Sequence, residues 1–186
     1  MNPLNSILIL VVAFLAVFAE AAFSWPHRLL GAQIDLLPAL MIYAAMNTEI
    51  ITVSLLAVLG GLWFDSLSAN PLGISILPLY AVGFPICWKR DLLLRELPFA
   101  QVILGAVASA VVPALTVLFM LSSSVEPLLG WGSLWQWIVM TAGGALLTPV
   151  IFGLFDWCNK TFGYQPLTQT AFRPDREIRR DKKAKN

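Results

Sequence analysis

The chain has 186 residues, of which 58% are hydrophobic and only 12% are charged. Because an ordinary soluble domain carries about 25% charged residues, this composition predicts a membrane protein. Twelve Lys and Arg nearly balance eleven Asp and Glu, and such a charge balance does not favour a nucleic-acid partner. The two cysteines, Cys87 and Cys158, are too few for a disulfide framework or a paired zinc site, and we expect free thiols.

The first apolar segment runs from Leu4 to Ser24, a length that suits a bilayer crossing of about 20 residues. Within it, Ala19-Glu20-Ala21 has the small-x-small shape of a signal cleavage site. No Lys or Arg precedes the segment, however, and the apolar run exceeds the core of a signal peptide. We therefore interpret it as a membrane-spanning helix.

Five more apolar segments follow, so the sequence predicts an all-α integral membrane protein with six transmembrane helices. These segments are Leu36 to Met46, Ile50 to Phe64, Leu72 to Trp88, Phe99 to Leu121 and Leu134 to Trp157. The second and third of the six spans are short. One long helix over Gln33 to Phe64 would give five spans, but Glu49 would then lie near the bilayer centre at a cost of about 2.5 to 3.5 kcal/mol. We therefore prefer a turn at Asn47 to Glu49, with five spans as the alternative.

The basic residues predict the orientation of these spans. With six spans, all twelve Lys and Arg except Arg28 fall in the loop after the fourth span or in the C-terminal region. The positive-inside rule then puts both termini in the cytoplasm. Residues 1–158 form the transmembrane domain, and residues 159–186 form a basic tail that is either a solvated topology signal or a contact for anionic lipid or protein. The basic residues assigned to the tail are Arg173, Arg176, Arg179, Arg180, Lys182 and Lys183.

No catalytic pattern is recognisable in the sequence. The single histidine, His27, excludes a cluster of histidine metal ligands. Neither the Gly-x-Ser-Gly turn of an intramembrane serine protease nor a phosphate-binding P-loop is present. Glu20 and Asp156 lie near span ends, where they can reach the interface or a hydrogen-bonding neighbour. We predict a non-enzyme without cofactor or metal, and we interpret the pairs Gly60-Gly61 and Gly143-Gly144 as helix-packing sites.

The most informative stretch is GGLWFDSLSANPLGISILPL, residues 60–79, which joins the third and fourth spans. We expect Asp65 to cap the outer end of one helix. Asn70-Pro71 is expected to open the next helix at its preferred first position, and Gly73 to let a neighbour approach.

These residues resemble a motif of the bacterial rod shape-determining membrane protein MreD family. Members are small, have five or six spans, and carry Gly-x-x-x-Asp, a short polar link and Pro-Leu-Gly. The matching positions here are Gly61, Asp65, Pro71, Leu72 and Gly73, with an upstream Gln-x-Asp-x-x-Pro at Gln33, Asp35 and Pro38.

The resemblance implies a non-enzymatic subunit of the cell-elongation machinery in the bacterial cytoplasmic (inner) membrane. Such a subunit supports cell shape and peptidoglycan synthesis by binding MreC, and it links MreB filaments to the RodA/penicillin-binding-protein synthase pair. Besides membrane lipids and these proteins, the resemblance implies no nucleic acid, no small-molecule substrate and no catalytic residue.

A second interpretation is the substrate-binding subunit of an energy-coupling-factor type vitamin transporter, which shares six spans and cytoplasmic termini. Such a subunit needs an outer-facing cavity. The polar residues placed to face one are Gln33, Asp35, Asp65, Asn70 and Glu126. The first span lacks the Ala-x-x-x-Ala pair with which those subunits dock, so the elongation-complex subunit is favoured over this one.

Overall fold

The computed structural model of the chain describes residues 3–22, 31–68, 70–90, 98–122 and 130–162. Within these ranges the protein contains six α-helices and no strand, which confirms the predicted all-α fold. The helices are α1 Pro3–Ala22, α2 Leu37–Asn47, α3 Ile50–Leu67, α4 Ile76–Lys89, α5 Pro98–Ser122 and α6 Trp131–Phe162. Four of them, α1, α3, α5 and α6, are long and apolar enough to cross a membrane. The basic tail residues predicted above lie outside the described ranges.

The predicted break between the second and third helices is confirmed. Thr48 and Glu49 both have extended backbones, with ψ angles of −176° and 163°, so the helix cannot continue through them. The Thr48 hydroxyl donates to the carbonyl of Ala44 at 2.7 Å and closes the end of α2. Arg90 Nη1 donates to the Thr48 carbonyl at 3.0 Å, which brings this turn to the end of the bundle where α4 finishes.

The prediction of which helices are short is partly wrong. Helix α3 continues past Phe64 to Leu67 and reaches 18 residues, a length sufficient to cross a membrane. Helix α4 begins at Ile76 rather than Leu72 and has only 14 residues. The start is delayed because residues 72–75 form turns instead of the first turn of the helix.

Helix α2 is the centre of the bundle. Every residue from Leu37 to Met46 is buried, and α2 contacts each of the other five helices. A helix that is apolar on all sides suits such a position. Tyr43 stacks on Phe155 at a centroid distance of 4.3 Å, and its hydroxyl accepts a hydrogen bond from Asn159 Nδ2 at 3.3 Å. With 11 residues, α2 is about 16 Å long, roughly half the thickness of a bilayer core.

The helices around α2 expose large apolar side chains on their outer surfaces. Along α1, for example, Ile7, Val11, Phe14 and Phe18 are all exposed. A soluble monomer rarely leaves contiguous apolar surface of this extent in water, whereas lipid tails solvate it without penalty. Together with the four long apolar helices, this surface identifies a helical membrane protein.

Helices α5 and α6 pack through small residues spaced four apart. Gly105 and Ser109 on α5 face Gly144 and Thr148 on α6. A Cβ atom added at Gly105 would overlap the Thr148 side chain, and one added at Gly144 would overlap Ser109. Small residues at this spacing allow the two backbones to approach closely.

Both predicted glycine pairs lie at tight helix contacts, which confirms the packing interpretation. A Cβ at Gly60 would lie 3.3 Å from the side chain of Leu37, and one at Gly143 would lie 2.7 Å from that of Ile34. The first glycine of each pair therefore faces α2 or the segment that leads into it.

Candidate functional site

The buried carboxylate of Asp65 joins the end of α3 to the start of α4. Asp65 is 1% exposed, and its Oδ2 accepts hydrogen bonds from the backbone N–H groups of Gly73 at 2.8 Å and Ser75 at 3.1 Å. Its Oδ1 accepts from the Ser75 hydroxyl at 2.5 Å. Both N–H groups belong to the turn that precedes α4, so a carboxylate at the end of α3 holds this turn in place. The expectation that Asp65 caps the end of a helix is therefore wrong, because both N–H groups lie in the turn before α4, which begins at Ile76.

Gly61 brings the same two helices into contact. It lies one helical turn before Asp65 on the same face of α3. A Cβ there would lie 3.0 Å from the backbone nitrogen of Ile76 and 3.1 Å from its Cα. The glycine is therefore required for the first residue of α4 to reach α3.

Pro71 and Gly73 act differently from the sequence prediction. Pro71 does not open α4; its carbonyl accepts a hydrogen bond from the N–H of Ile74 at 3.3 Å within a turn. Gly73 has a φ of +89°, which L side chains rarely adopt. A Cβ at Gly73 would be 3.8 Å from the Ile76 side chain, an ordinary contact, so its function is conformational rather than steric. Leu72 between them is 73% exposed.

Substituting Gly73→Ala is expected to lower the free energy of unfolding by about 1 to 2 kcal/mol, because alanine is strained at positive φ. Unfolding in mixed detergent micelles, followed by tryptophan fluorescence, measures the loss. Gly132→Ala is the matched control, since a Cβ there meets nothing within 4 Å. Equal stability of the two variants would contradict the conformational role.

The upstream residues Gln33, Asp35 and Pro38 lie where the chain enters α2. The Gln33 N–H donates to Gln136 Oε1, and Gln136 Nε2 donates back to the Gln33 carbonyl, both at 3.0 Å. This reciprocal pair fastens the entering segment to α6. Pro38 is buried in the first turn of α2, a position that suits a residue without an N–H.

Two carboxylates cap the buried start of α2. Asp35 is 6% exposed, and its Oδ1 accepts from the N–H of Leu37 at 2.8 Å. Glu20 Oε1 accepts from the N–H of Leu36 at 2.6 Å, which confirms the predicted hydrogen bond to a neighbour. The second carboxylate oxygen of Glu20 is buried and has no hydrogen-bond partner among the described residues. Sequence reasoning treated the two acids separately, because nothing local indicates that they share one helix end.

Burial raises the pKa of Asp35 from 3.8 to about 6. A carboxyl whose pKa is raised by folding stabilises the protein when protonated, and this stability is lost as the pH rises through the folded pKa. We expect the free energy of unfolding to fall by about 2 kcal/mol between pH 4 and pH 7 on account of this group. Asp35→Asn should remove that part of the decline, since an amide oxygen can still accept from Leu37. Unfolding measured across this pH range tests this prediction. The prediction is contradicted if the free energy of unfolding of Asp35→Asn depends on pH as strongly as that of the wild type.

A pocket of about 180 Å³ lies between the start of α2, the turn before α4, and helix α5. Its polar lining residues are Asp35, Asn70, Ser75 and Thr116. The other lining residues are apolar: Leu37, Phe64, Leu79, Val112, Pro113, Val117, Met120 and Met140.

The pocket gathers only part of the polar set predicted to face an outer cavity. Asp35 and Asn70 line it, whereas Gln33 is exposed elsewhere. Asp65 lies behind it, bonded to Ser75. Glu126 lies outside the described residues. At about 180 Å³, the pocket is smaller than the roughly 300 to 1,000 Å³ of sites for drug-sized ligands.

A wider apolar groove of about 830 Å³ lies between α5 and the first turns of α6. Trp137 forms part of its wall, and its indole Nε1 donates to the carbonyl of Ala110 at 2.9 Å.

Cys87 and Cys158 are free thiols, as predicted. The described ranges contain no group of three or more His, Cys, Asp or Glu that could hold a metal ion.

Comparisons with known protein families, with curated proteins and with solved structures find no match to this chain.

Proposed function

We propose that the protein is a non-enzymatic membrane subunit of the bacterial cell-elongation complex, with a role similar to that of MreD. The observation that carries this proposal is the single structural unit formed by the motif residues. Gly61 and Asp65 on α3 hold the turn containing Gly73 against the start of α4. Leu72 projects from the same turn with most of its side chain exposed. A rigid turn with an exposed apolar tip suits binding to a partner rather than chemistry.

The environment of Asp65 supports a non-enzymatic role. Both of its carboxylate oxygens already accept hydrogen bonds, and the side chain is 1% exposed. A general acid or base has to reach the proton that it transfers, directly or through a water. Asp65 therefore serves the fold of the outer turn.

We place both termini in the cytoplasm and count six crossings, of which α2 and α4 pack as short helices among longer ones. The bond between Arg90 and Thr48 supports this arrangement, because it joins the turn after α2 to the basic end of α4. The positive-inside rule assigns that end to the cytoplasm.

Labelling tests this orientation. Glu49→Cys, introduced into a chain with Cys87→Ser and Cys158→Ser, should react with a membrane-impermeant thiol reagent only from the cytoplasmic side. Reaction from the outer side would overturn the orientation.

Co-purification tests the function itself. The full-length protein, extracted in mild detergent, should recover MreC together with the RodA/penicillin-binding-protein pair. Leu72→Ser should reduce the recovery of MreC several-fold, whereas Leu67→Ser should not. Both leucines are exposed, but only Leu72 lies in the motif turn. Recovery of two transport ATPases in place of the elongation proteins would overturn the proposal.

Such a recovery would favour the second candidate, a solute-binding subunit of a vitamin transporter. The pocket beside Asp35 and Asn70 is the feature that supports this candidate. Its volume of about 180 Å³ is too small for a vitamin-sized ligand, so we place the elongation-complex role first.

A further inference from the structure

The pocket between α2, α4 and α5 presents hydrogen-bond acceptors. The Ser75 hydroxyl donates its hydrogen to Asp65 Oδ1 at 2.5 Å, and the Thr116 hydroxyl donates its hydrogen to the Val112 carbonyl at 2.9 Å. Each hydroxyl oxygen then has only lone pairs left to offer. Asn70 adds an amide whose oxygen can also accept. The hydroxyl oxygens of Ser75 and Thr116 therefore suit a ligand that donates hydrogen bonds.

The single ionisable side chain among the described lining residues is acidic. Asp35 lines it, and none of the described lining residues is Lys, Arg or His. The pKa of Asp35, about 6, leaves its carboxyl mostly ionised at pH 7.5. A buried carboxylate without a counter-charge is unfavourable, and a cation in the pocket would offset this cost.

We propose that this pocket binds a small primary ammonium group, with Asp35 as the charged contact and the hydroxyl oxygens of Ser75 and Thr116 as acceptors. An ammonium has three N–H donors, which equals the number of these contacts. The volume of about 180 Å³ corresponds to about six water molecules, so the pocket admits a group of a few heavy atoms. This inference rests on the pocket alone and does not depend on the proposed function.

Two sources present this chemistry: a free amine, or the ethanolamine headgroup of a phospholipid. The experiment uses the full-length protein without partners. Its result therefore does not depend on whether the elongation-complex proposal is correct. The midpoint of thermal unfolding is measured in detergent with added ethanolamine or choline. It is measured again in nanodiscs of phosphatidylethanolamine or phosphatidylcholine. Choline carries the same charge as ethanolamine but no N–H donor, and so serves as the matched control.

A rise of about 5 °C with saturating ethanolamine, absent with choline, would support a free amine as the ligand. A rise of that size confined to phosphatidylethanolamine nanodiscs would identify the lipid headgroup instead. The proposal would be overturned if ethanolamine and choline, or phosphatidylethanolamine and phosphatidylcholine, changed the unfolding midpoint equally. It would also be overturned if neither ethanolamine nor phosphatidylethanolamine raised the midpoint.

Two variants assign the effect to the pocket. Asp35→Asn, which keeps an acceptor for Leu37, should lose the ethanolamine-dependent rise, and Asp156→Asn should retain it, because Asp156 is exposed at the far end of α6. Thr116→Val should raise the half-saturating concentration about tenfold, the effect of losing one hydrogen bond to a charged group. An undiminished rise in Asp35→Asn would overturn the assignment.

Discussion

Replacing Asp65 with alanine is expected to lower the free energy of unfolding by about 4 kcal/mol. The substitution leaves three donors without an acceptor: the part-buried N–H of Gly73, and the buried N–H and hydroxyl of Ser75. A hydrogen bond to a charged group contributes about 1.5 to 3 kcal/mol, and bonds that share one carboxylate are not additive. A single change rarely exceeds about 4 to 5 kcal/mol, so this value lies at the upper end.

The loss is measured by unfolding in mixed detergent micelles, with tryptophan fluorescence as the signal. Asp156→Ala is the matched control, because the side chain of Asp156 is exposed, and we expect a change within about 0.5 kcal/mol. The loss for Asp65→Asn should lie between those for Asp65→Ala and Asp156→Ala, since one acceptor oxygen remains. If Asp65→Ala were no less stable than Asp156→Ala, the carboxylate would not hold the turn.

The second large effect is expected at the crossing of α5 and α6. Gly105→Ala should cost about 3 kcal/mol, because its Cβ would overlap the Thr148 side chain and would also lie 2.5 Å from the carbonyl oxygen of Gly144. A side chain can rotate away, but the backbone carbonyl cannot, so the helices have to separate. Gly153→Ala is the control on α6, since a Cβ there meets nothing within 4 Å. It should be neutral or stabilise the helix by up to about 1 kcal/mol.

A compensating pair tests whether overlap is the cause. Gly144→Ala alone should destabilise the crossing, because its Cβ would overlap Ser109. Combining it with Ser109→Gly moves the small residue to the opposite helix and should recover at least half of the loss. If the changes in the free energy of unfolding caused by Gly144→Ala and Ser109→Gly simply add in the double variant, steric overlap is not responsible.

The helices and their breaks are largely predictable from the sequence because their signals are local. Thr48 and Glu49 follow an apolar run that begins near Pro38, and a polar pair in that position favours a turn over burial in lipid. The start of α4 is not predictable in this way. It depends on the contact between Asp65 and the backbone of residues 73 and 75, which belongs to tertiary structure.

The sequence pattern also does not predict that α2 lies at the centre of the bundle. In water, a helix face that packs against protein is apolar and the opposite face is polar. In a bilayer both faces are apolar, so composition cannot distinguish contact with lipid from contact with protein. The hydrogen bonds between Gln33 and Gln136 are missed for a related reason, since the two residues are 103 positions apart and give no periodic signal.

Helix α2 also determines when the protein can finish folding during its synthesis. The hydroxyl of Tyr43 bonds to Asn159, which is 116 residues later in the chain. At about 5 to 20 residues per second, ribosomes take roughly 6 to 23 s to add that length. During this interval α2, an 11-residue helix that is too short to span a bilayer alone, lacks its contacts with α6. The packing of α2 is therefore completed only when α6 arrives, and chains truncated before α6 should leave α2 more accessible to proteases.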